Sequence, residues 1–309
     1  MKNVNNPLVS VVVVTYNSAN QVVETLESVK AQTYERLELV ITDDHSSDDT
    51  VEICRNWINQ NRHRFVDVKV IASESNTGIT PNRNRGCFAA KGAWIKQIDG
   101  DDKLKPHCIA DYVTFASSHE DKNIIFSPLD PFGQGDLEEW RNLLRSNFSY
   151  AFSLSKKDFR ILLCKCCLFP APSAFIKKSF FVEVGGYDES IKFLEDWPFW
   201  VRTAFSGAHF AYIPTSEVEY RISPTSLSQG VGGKNTLFEE AIRLTKKKTI
   251  SFMRKVSILY SLEGYLAYQA EYNSKPIWKM LAYLRPLNPY FWKARKLYRN
   301  YITTADDER

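Results

Sequence analysis

The segment from Val9 to Thr15 constrains the fold of this chain more than any other feature of the sequence. All but one of its residues are β-branched, and no charged side chain interrupts the run. Such a run is typical of a strand that is covered on both faces, as in the parallel sheets of α/β proteins. We therefore expect this segment to be a buried strand of a parallel sheet.

Strand and helix signals alternate over the first hundred residues. Further strands are predicted at 37–42, 68–72 and 94–98, and helices at 20–32, 49–61 and 80–90. This βαβαβαβ order predicts an α/β fold with a mostly parallel, doubly wound sheet. Ligands of such sheets bind at the carboxyl ends of the strands.

The pattern is less regular after Pro106. Helices are predicted over 107–121, over 178–184 and from Glu195-Asp196-Trp197-Pro198, and strands over 124–127, 173–176, 210–213 and 218–222. Residues 128–170 show no clear periodicity, and we expect an irregular insertion over the crevice. From residue 235 onward the pattern is mostly helical, so a C-terminal extension over 234–309 is predicted.

Polar and acidic residues lie at three predicted strand ends. The first strand ends in Thr15-Tyr16-Asn17, the second in Asp43-Asp44 and the fourth in Asp99-Gly100-Asp101-Asp102. Three carboxylates in four positions repel one another unless a cation or hydroxyl groups face them. A solvated acidic turn is the alternative explanation. Because parallel strands end at one edge of the sheet, we expect these residues to share one crevice.

The charge of the chain is unevenly distributed. The net charge is +4, yet residues 234–309 contain 15 Lys and Arg against 7 Asp and Glu. The stretch 278–301 interleaves these basic residues with Trp and Tyr, which is the composition of a helix at a membrane interface. Helices that pack on the body and expose a basic face would give the same pattern. No nucleic-acid recognition motif is present, so no nucleic-acid partner is expected.

No apolar run is long enough to span a bilayer, and the N-terminus shows no secretory signal. The six cysteines are mostly scattered, which suits reduced thiols, so we expect a cytoplasmic protein. The cluster from Cys164 to Cys167 lacks the spacing of a zinc site, and packing is the expected role of its side chains.

Residues 8 to about 230 resemble family 2 of the nucleotide-sugar glycosyltransferases. The matching segments occur in the family's order, and His45 stands where Gly is usual in the second of them. They are Val9 to Asn17, Asp43 to Thr50, Asn76 to Gly78, Arg83 to Gly86, Asp99 to Asp102, Gly185 to Glu189 and Glu195-Asp196. The resemblance implies a GT-A (Rossmann-like) fold, with a mostly parallel central sheet flanked by helices.

The resemblance also implies a nucleotide-sugar-binding half over 1–105, an acceptor-binding half over 106–233 and specific roles for residues in both. Asp196 would be the general base, with Glu195 as the second candidate. Asp101 would ligate Mn²⁺ or Mg²⁺, and Asp102 would assist it or orient the loop. Nine residues would contact the donor. They are Thr15, Tyr16, Asn17, Asp43, Asp44, Asn76, Arg83, Asp99 and Arg221.

Several positions leave alternatives open. Ser223 stands where many relatives have a His, so Arg221 either supplies a positive charge to phosphate or is structural. Residues 223–235 are either a lid or a linker. Trp197 and Trp200 either stack on a sugar or pack in the core, and we expect core packing.

The resemblance implies a metal-dependent, inverting hexosyltransferase. It would move one sugar from a nucleotide donor, expected to be UDP-linked, to a hydroxyl group of a glycan. The basic aromatic stretch 278–301 indicates a lipid-linked acceptor at the cytoplasmic face of the inner membrane, as in O-antigen or capsule assembly. A degenerate relative that only binds nucleotide or a partner is the alternative, and the oligomeric state, including a homo-oligomer, stays open. A dehalogenase-like phosphatase is disfavoured because its Asp-x-Asp motif follows the first strand.

Overall fold

A computed structural model describes residues 6–223 and 236–303. The strands are β1 Val9–Thr15, β2 Leu37–Asp43, β3 Asp67–Ala72, β4 Trp94–Asp99, β5 Lys103–Leu104, β6 Ile124–Phe126, β7 Leu129–Gly133, β8 Ala174–Lys177, β9 Phe210–Tyr212 and β10 Val218–Ile222. The helices are α1 Val22–Lys30, α2 Thr50–Asn61, α3 Ile79–Ala89, α4 Cys108–Ser118, α5 Leu137–Ser153, α6 Lys156–Leu163, α7 Lys178–Glu183, α8 Asp196–Phe205, α9 Thr236–Val256, α10 Ile258–Tyr272, α11 Pro276–Ala282 and α12 Pro289–Thr303.

A seven-stranded sheet in the order β3-β2-β1-β4-β8-β6-β9 forms the centre of the molecule. Strand β1 pairs in parallel with both β2 and β4, and every one of its residues is buried. This confirms the prediction drawn from the β-branched run. Strand β8 is antiparallel to both neighbours, β4 and β6. The sheet therefore continues from the predicted nucleotide half into the predicted acceptor half without a break.

A second sheet in the order β5-β10-β7 lies beside the end of β4. Strand β5 directly follows the Asp99 to Asp102 loop, and it pairs with β10 through Leu104 and Val218. This small sheet therefore fixes the acidic loop against a strand more than a hundred residues away in the sequence.

The expectation of an irregular stretch over 128–170 is wrong. This region contains strand β7 and two helices, α5 and α6. Its apolar side chains, among them Phe159 and Phe169, join the aromatic core around Phe126. These long-range contacts stabilise both helices.

The C-terminal extension is helical, as predicted; its helices α9 and α12 pack on α5, α6 and α8, and α10 packs on α9, α11 and α12. Two buried tyrosines of the extension donate hydrogen bonds to the body. Tyr260 Oη lies 2.8 Å from the Ile161 carbonyl oxygen, and Tyr301 Oη lies 3.1 Å from that of Leu168. Over the described ranges, no helix combines the length and the apolar character that crossing a bilayer requires.

Both tryptophans near the expected base are core residues, as predicted. The indole N–H of Trp197 donates to the Leu163 carbonyl oxygen, and that of Trp200 donates to the Phe169 carbonyl oxygen, each at 2.7 Å. The segment expected to be a lid or a linker lies outside the described residues, except for Ser223.

Candidate active site

Asp43 lies at the carboxyl end of β2, beside the end of β1. Its buried carboxylate accepts hydrogen bonds from the Thr15 hydroxyl at 2.8 Å and from the Ser46 amide and hydroxyl at 2.8 and 2.5 Å. Thr15 also packs against Gly100, where a β-carbon would come within 2.9 Å of its methyl group. The ends of β1, β2 and β4 therefore meet at one edge of the sheet.

Asp44 points to a different loop. Its buried carboxylate accepts hydrogen bonds from the Thr77 hydroxyl at 2.6 Å and from the Gly78 amide at 2.7 Å. The side chain thus fastens the loop that precedes α3. Two other expected donor contacts in this region, Tyr16 and Asn76, are exposed to solvent.

Two turns at this edge have a left-handed backbone conformation. Asn17 has φ +49° and His45 has φ +66°. The Asn17 side-chain oxygen accepts a hydrogen bond from the Ser47 amide at 2.8 Å, which joins the turns after β1 and β2. The positive φ of His45 explains why Gly is usual at this position in the family, since Gly adopts positive φ without strain.

Arg83 joins the two halves of the candidate site. Its guanidinium is fully buried and contacts Asp99 at 2.5 Å and Glu195 at 3.0 Å. Burial alone would lower the pKa of Arg83, but these two carboxylates raise it. The pairing holds the carboxyl end of β4 against the start of α8, although the two segments are nearly a hundred residues apart.

The Asp99 to Asp102 loop carries unfavourable negative charge. Burial, together with the charge of Asp99, raises the pKa of Asp101 to about 6. Burial and the neighbouring Asp101 raise the pKa of Asp102 well above its usual value. Among the described residues, Asp102 Oδ2 is buried without a hydrogen-bond partner. A cation at this loop would relieve both effects.

Arg221 holds the acidic loop through two hydrogen bonds and also pairs with α1. Its amide donates to Asp102 Oδ1 at 2.8 Å, and its Nε donates to the Asp101 carbonyl oxygen at 2.7 Å. Its Nη2 pairs with Glu24 at 2.7 Å. These contacts give Arg221 a structural role beside its predicted role at the donor.

Asp196 is the first residue of α8 and is partly exposed to solvent. Burial and the adjacent Glu195 raise the pKa of Asp196 to about 7. The Cys167 side chain, whose thiol donates to the Phe169 carbonyl oxygen, lies close enough to Asp196 to influence the pKa of its carboxyl group. Burial and the charges of Asp102 and Asp196, among others, also raise the pKa of Tyr220. The Tyr220 hydroxyl therefore lies within electrostatic range of both the acidic loop and Asp196.

The structure thus brings the ends of β1, β2 and β4 together with the start of α8. Asn76 lies in the loop before α3, to which the Asp44 side chain is hydrogen-bonded. Four contributors were not predicted as site residues. They are Ser46, Asn82, Cys167 and Tyr220. Only Tyr220 carried a signal, as the residue beside Arg221 on a predicted strand. Cys167 was assigned to packing, and its contact with Asp196 depends on tertiary structure.

Three relatives show how far the similarity extends. An uncharacterized protein of Sinorhizobium fredii is 36% identical over 133 residues, covering 42% of this chain and 14% of that protein. The glycosyltransferase GlyG of Streptococcus pneumoniae is 36% identical over 102 residues, covering 33% of each chain. An uncharacterized glycosyltransferase of Rickettsia prowazekii is 22% identical over 280 residues, covering 86% of this chain and 83% of that one. The chain thus spans a third or less of the length of the first two.

Solved structures share the fold. The crystal structure of S. aureus TarS 1–349 in complex with UDP-GlcNAc has a TM-score of 0.62 at 19% identity, covering 98% of this chain and 91% of that one. The mannosyltransferase PcManGT from Pyrobaculum calidifontis, in complex with GDP-Man and Mn²⁺, has a TM-score of 0.57 at 18% identity, covering 97% and 86%. At these identities the likeness establishes the GT-A fold alone.

A family model covers the part of the chain that holds most of the site. Residues 10–184, more than half of the chain, match the model described as glycosyl transferase family 2. The matched segment contains β1 to β4, Arg83 and the Asp99 to Asp102 loop. The chain therefore belongs to glycosyl transferase family 2.

Proposed function

We propose that this glycosyltransferase moves one sugar from a nucleotide donor, UDP-linked, to a hydroxyl group of a glycan, with inversion at the anomeric carbon. The observation that carries the proposal is the double ion pair of Arg83 with Asp99 and Glu195. It holds Asp196, a partly exposed carboxylate, next to the loop that is expected to hold the donor diphosphate. This arrangement supports a base and a leaving-group site that lie close together.

Asp196 is better suited than Glu195 to be the general base. Glu195 is buried and already paired with Arg83, so its carboxylate is not free to approach an acceptor. Asp196 is partly exposed, and its pKa of about 7 lies near neutral pH, where a general base is most effective. It would remove the proton of the attacking hydroxyl group as the new bond forms on the face opposite the leaving group.

The donor end of the cleft is assigned to Thr15, Asp43 and Asp99. Asp99 keeps part of its carboxylate open to solvent while it pairs with Arg83, so it can still accept hydrogen bonds from a ribose. The UDP-GlcNAc complex of TarS and the GDP-Man complex of PcManGT support a nucleotide-sugar in this fold.

The residues of the acidic loop fit a divalent cation, Mn²⁺ or Mg²⁺. The supporting observation is the orphaned Asp102 Oδ2 beside two other crowded carboxylates. Among the described residues, no three His, Cys, Asp or Glu side chains are grouped so that they could hold a metal ion by themselves. Asp101 would be the main protein ligand, and Asp102 would assist it or orient the loop. The cation would offset the charge that develops on the departing diphosphate.

The acceptor is proposed to be a lipid-linked saccharide used in cell-surface polysaccharide assembly, such as O-antigen or capsule. The support is an exposed apolar surface on α11, α12 and the turn between them, here called the apolar C-terminal patch. Its members are Met280, Tyr283, Leu284, Leu287 and Trp292. Tyr283 and Leu287 are more than 80% exposed, and Lys279 lies among them. Such a patch fits peripheral binding at the cytoplasmic face of the inner membrane.

The proposal is tested by incubating the protein with UDP-sugars and manganese and measuring the release of UDP, with and without a lipid-linked acceptor. Asp196→Asn should lose about 10²–10⁴-fold in rate while UDP binding is retained. Asp188→Asn is the matched control, because Asp188 pairs with Lys248 outside the cleft. A wild-type rate in Asp196→Asn would refute the assignment of the base. Nucleotide binding without turnover of any donor would favour the alternative of a degenerate binding protein.

A further inference from the structure

A cavity of about 290 Å³ lies where the C-terminal helices meet the end of α6. Side chains of α9, α10 and α12 line it, together with Cys164 and Lys165, which follow α6. The lining is apolar around Met253 and Ala294 and basic at its edge. Lys165 and Arg295 are exposed residues, so the cavity is accessible from solvent.

The charges that line this cavity do not balance. Arg285 pairs with Glu263 at 2.6 Å, and Lys246 pairs with Glu271 at 2.7 Å. Lys165 and Arg295 also line the cavity, but neither forms an ion pair within residues 6–223 and 236–303. Partial shielding from water, together with Arg285, lowers the pKa of Lys165. Of the four cations that line the cavity, Arg285 and Lys246 are thus paired, and Lys165 and Arg295 have no ion-pair partner among the described residues.

The cavity lies close to the candidate base. Lys165 lines the cavity, and Cys167, two residues later, lies near enough to Asp196 to influence its pKa. Two residues of chain span at most about 7 Å. The backbone of Lys165, at the cavity, therefore lies within about 7 Å of that of Cys167, the neighbour of Asp196. The nucleotide end of the cleft, at Thr15 and Asp43, is held by other segments of the chain.

We propose that this cavity binds a phosphate group of the acceptor, held by Lys165 and Arg295. The inference rests on the proposed function only in naming the ligand as the acceptor. Arg and Lys are the side chains that bind phosphate oxygens most strongly, and two unpaired cations match the charge of one phosphate. The apolar part of the lining would accommodate the group to which the phosphate is attached.

The first test measures binding of inorganic phosphate to the full chain by calorimetry, in EDTA and without nucleotide, at constant ionic strength. The cavity variant is Lys165→Met/Arg295→Met. The control, Lys156→Met/Arg62→Met, removes the same charges from exposed residues outside the cavity. We expect the cavity variant to bind phosphate about tenfold more weakly or worse and the control to match the wild type. Absent binding in the wild type, or equal weakening in both variants, would overturn the proposal.

A second arm identifies the source of the phosphate. Vesicles of phosphatidylcholine are compared with the same vesicles containing a minor fraction of phosphatidate. If the cavity variant loses the preference for phosphatidate that the control retains, the group is a lipid phosphate. If both variants keep that preference and only the cavity variant loses binding of inorganic phosphate, the phosphate group that the cavity binds belongs to a soluble phosphate ester.

Activity separates this inference from the proposed function. A protein that binds phosphate through Lys165 and Arg295 but transfers no sugar would defeat the proposed function and leave the cavity site intact. With a phosphate-bearing acceptor, the cavity variant should raise KM severalfold with little change in kcat, and UDP binding should be unchanged. Turnover with an unaltered KM for that acceptor would overturn the assignment of the cavity to the acceptor.

Discussion

Replacing Asp196 by Asn should make the protein more stable while it slows transfer about 10²–10⁴-fold. Burial and the adjacent Glu195 raise the pKa of Asp196 from 3.8 to about 7 in the folded protein. In the unfolded chain the pKa returns to its ordinary value, so the folded state binds the proton more tightly. Asp196 therefore costs no stability below about pH 4, and its cost grows as the pH rises to about 7.

The magnitude follows from the size of the shift. One pKa unit corresponds to about 1.4 kcal/mol, so a rise from 3.8 to about 7 corresponds to roughly 4 kcal/mol above pH 7. Because Asp196 is partly exposed, we expect about 2–4 kcal/mol. Asn has the same shape without the charge, and its side-chain oxygen can still accept the hydrogen bond from the Trp197 amide, now 2.6 Å from Asp196 Oδ1.

The assay is urea unfolding of wild type and Asp196→Asn across pH 4 to 8. The variant should equal the wild type at the acidic end and exceed it in the free energy of unfolding at the alkaline end. Asp188→Asn provides a control of opposite sign. Although burial opposes the shift, hydrogen bonds from Lys248 and Ser190 lower the pKa of Asp188. That variant should lose stability throughout the range of pH 4 to 8, because the Asp188 carboxylate stays ionised until the pH falls through its lowered pKa. A difference for Asp196→Asn that does not change with pH would refute the reasoning.

Three further predictions concern the cleft and the apolar C-terminal patch. Because a general base acts only when ionised, kcat/KM should fall about tenfold per unit below pH 7, and a flat profile there would contradict the role of Asp196. Arg83→Met should lower the free energy of unfolding by about 3–5 kcal/mol, since Asp99 and Glu195 lose their buried partner, and an unchanged urea midpoint would count against the pairing. Leu287→Glu should weaken cosedimentation with anionic vesicles severalfold. The thermal midpoint should not change, because the Leu287 side chain is 81% exposed. Unchanged cosedimentation would show that Leu287 does not contact the membrane.

The first four strands could be predicted from sequence because local pattern determines them. The run from Val9 to Thr15 and the apolar stretches of β2 and β4 are buried on both faces of the sheet, so their composition carries the whole signal. The order β3-β2-β1-β4 then follows from the handedness of βαβ units.

Helices α5 and α6 could not be predicted in this way. The segment of α5 contains several Asn, Ser and aromatic residues, which have modest helix propensity, and α6 is only eight residues long. Their helical state depends on contacts with α12 and with β7, and α12 lies far along the chain. Local periodicity carries no information about such partners. The antiparallel pairing of β8 between β4 and β6 could not be predicted from the sequence for the same reason.

The candidate site was predictable as a set of residues and not as a set of contacts. The positions of Asp43, Asp99 and Asp196 follow from strand ends and a helix start. The burial of Arg83 between two carboxylates does not, because its partners lie 16 and 112 positions away in the sequence. Asp44 is likewise indistinguishable from Asp43 in sequence, yet only the fold directs its carboxylate to Thr77.

The contrast between Glu195 and Asp196 leads to a last prediction. Arg83 binds Glu195, and the negative charge of Glu195 is the largest influence after burial on the raised pKa of Asp196. Glu195→Gln removes that charge, while Arg83 keeps its contact with Asp99. The pKa of Asp196 should fall, so the acidic limb of the kcat/KM profile should move to lower pH. The reasoning fails if the limb stays in place or moves to higher pH, because Glu195 would then not set the basicity of its neighbour.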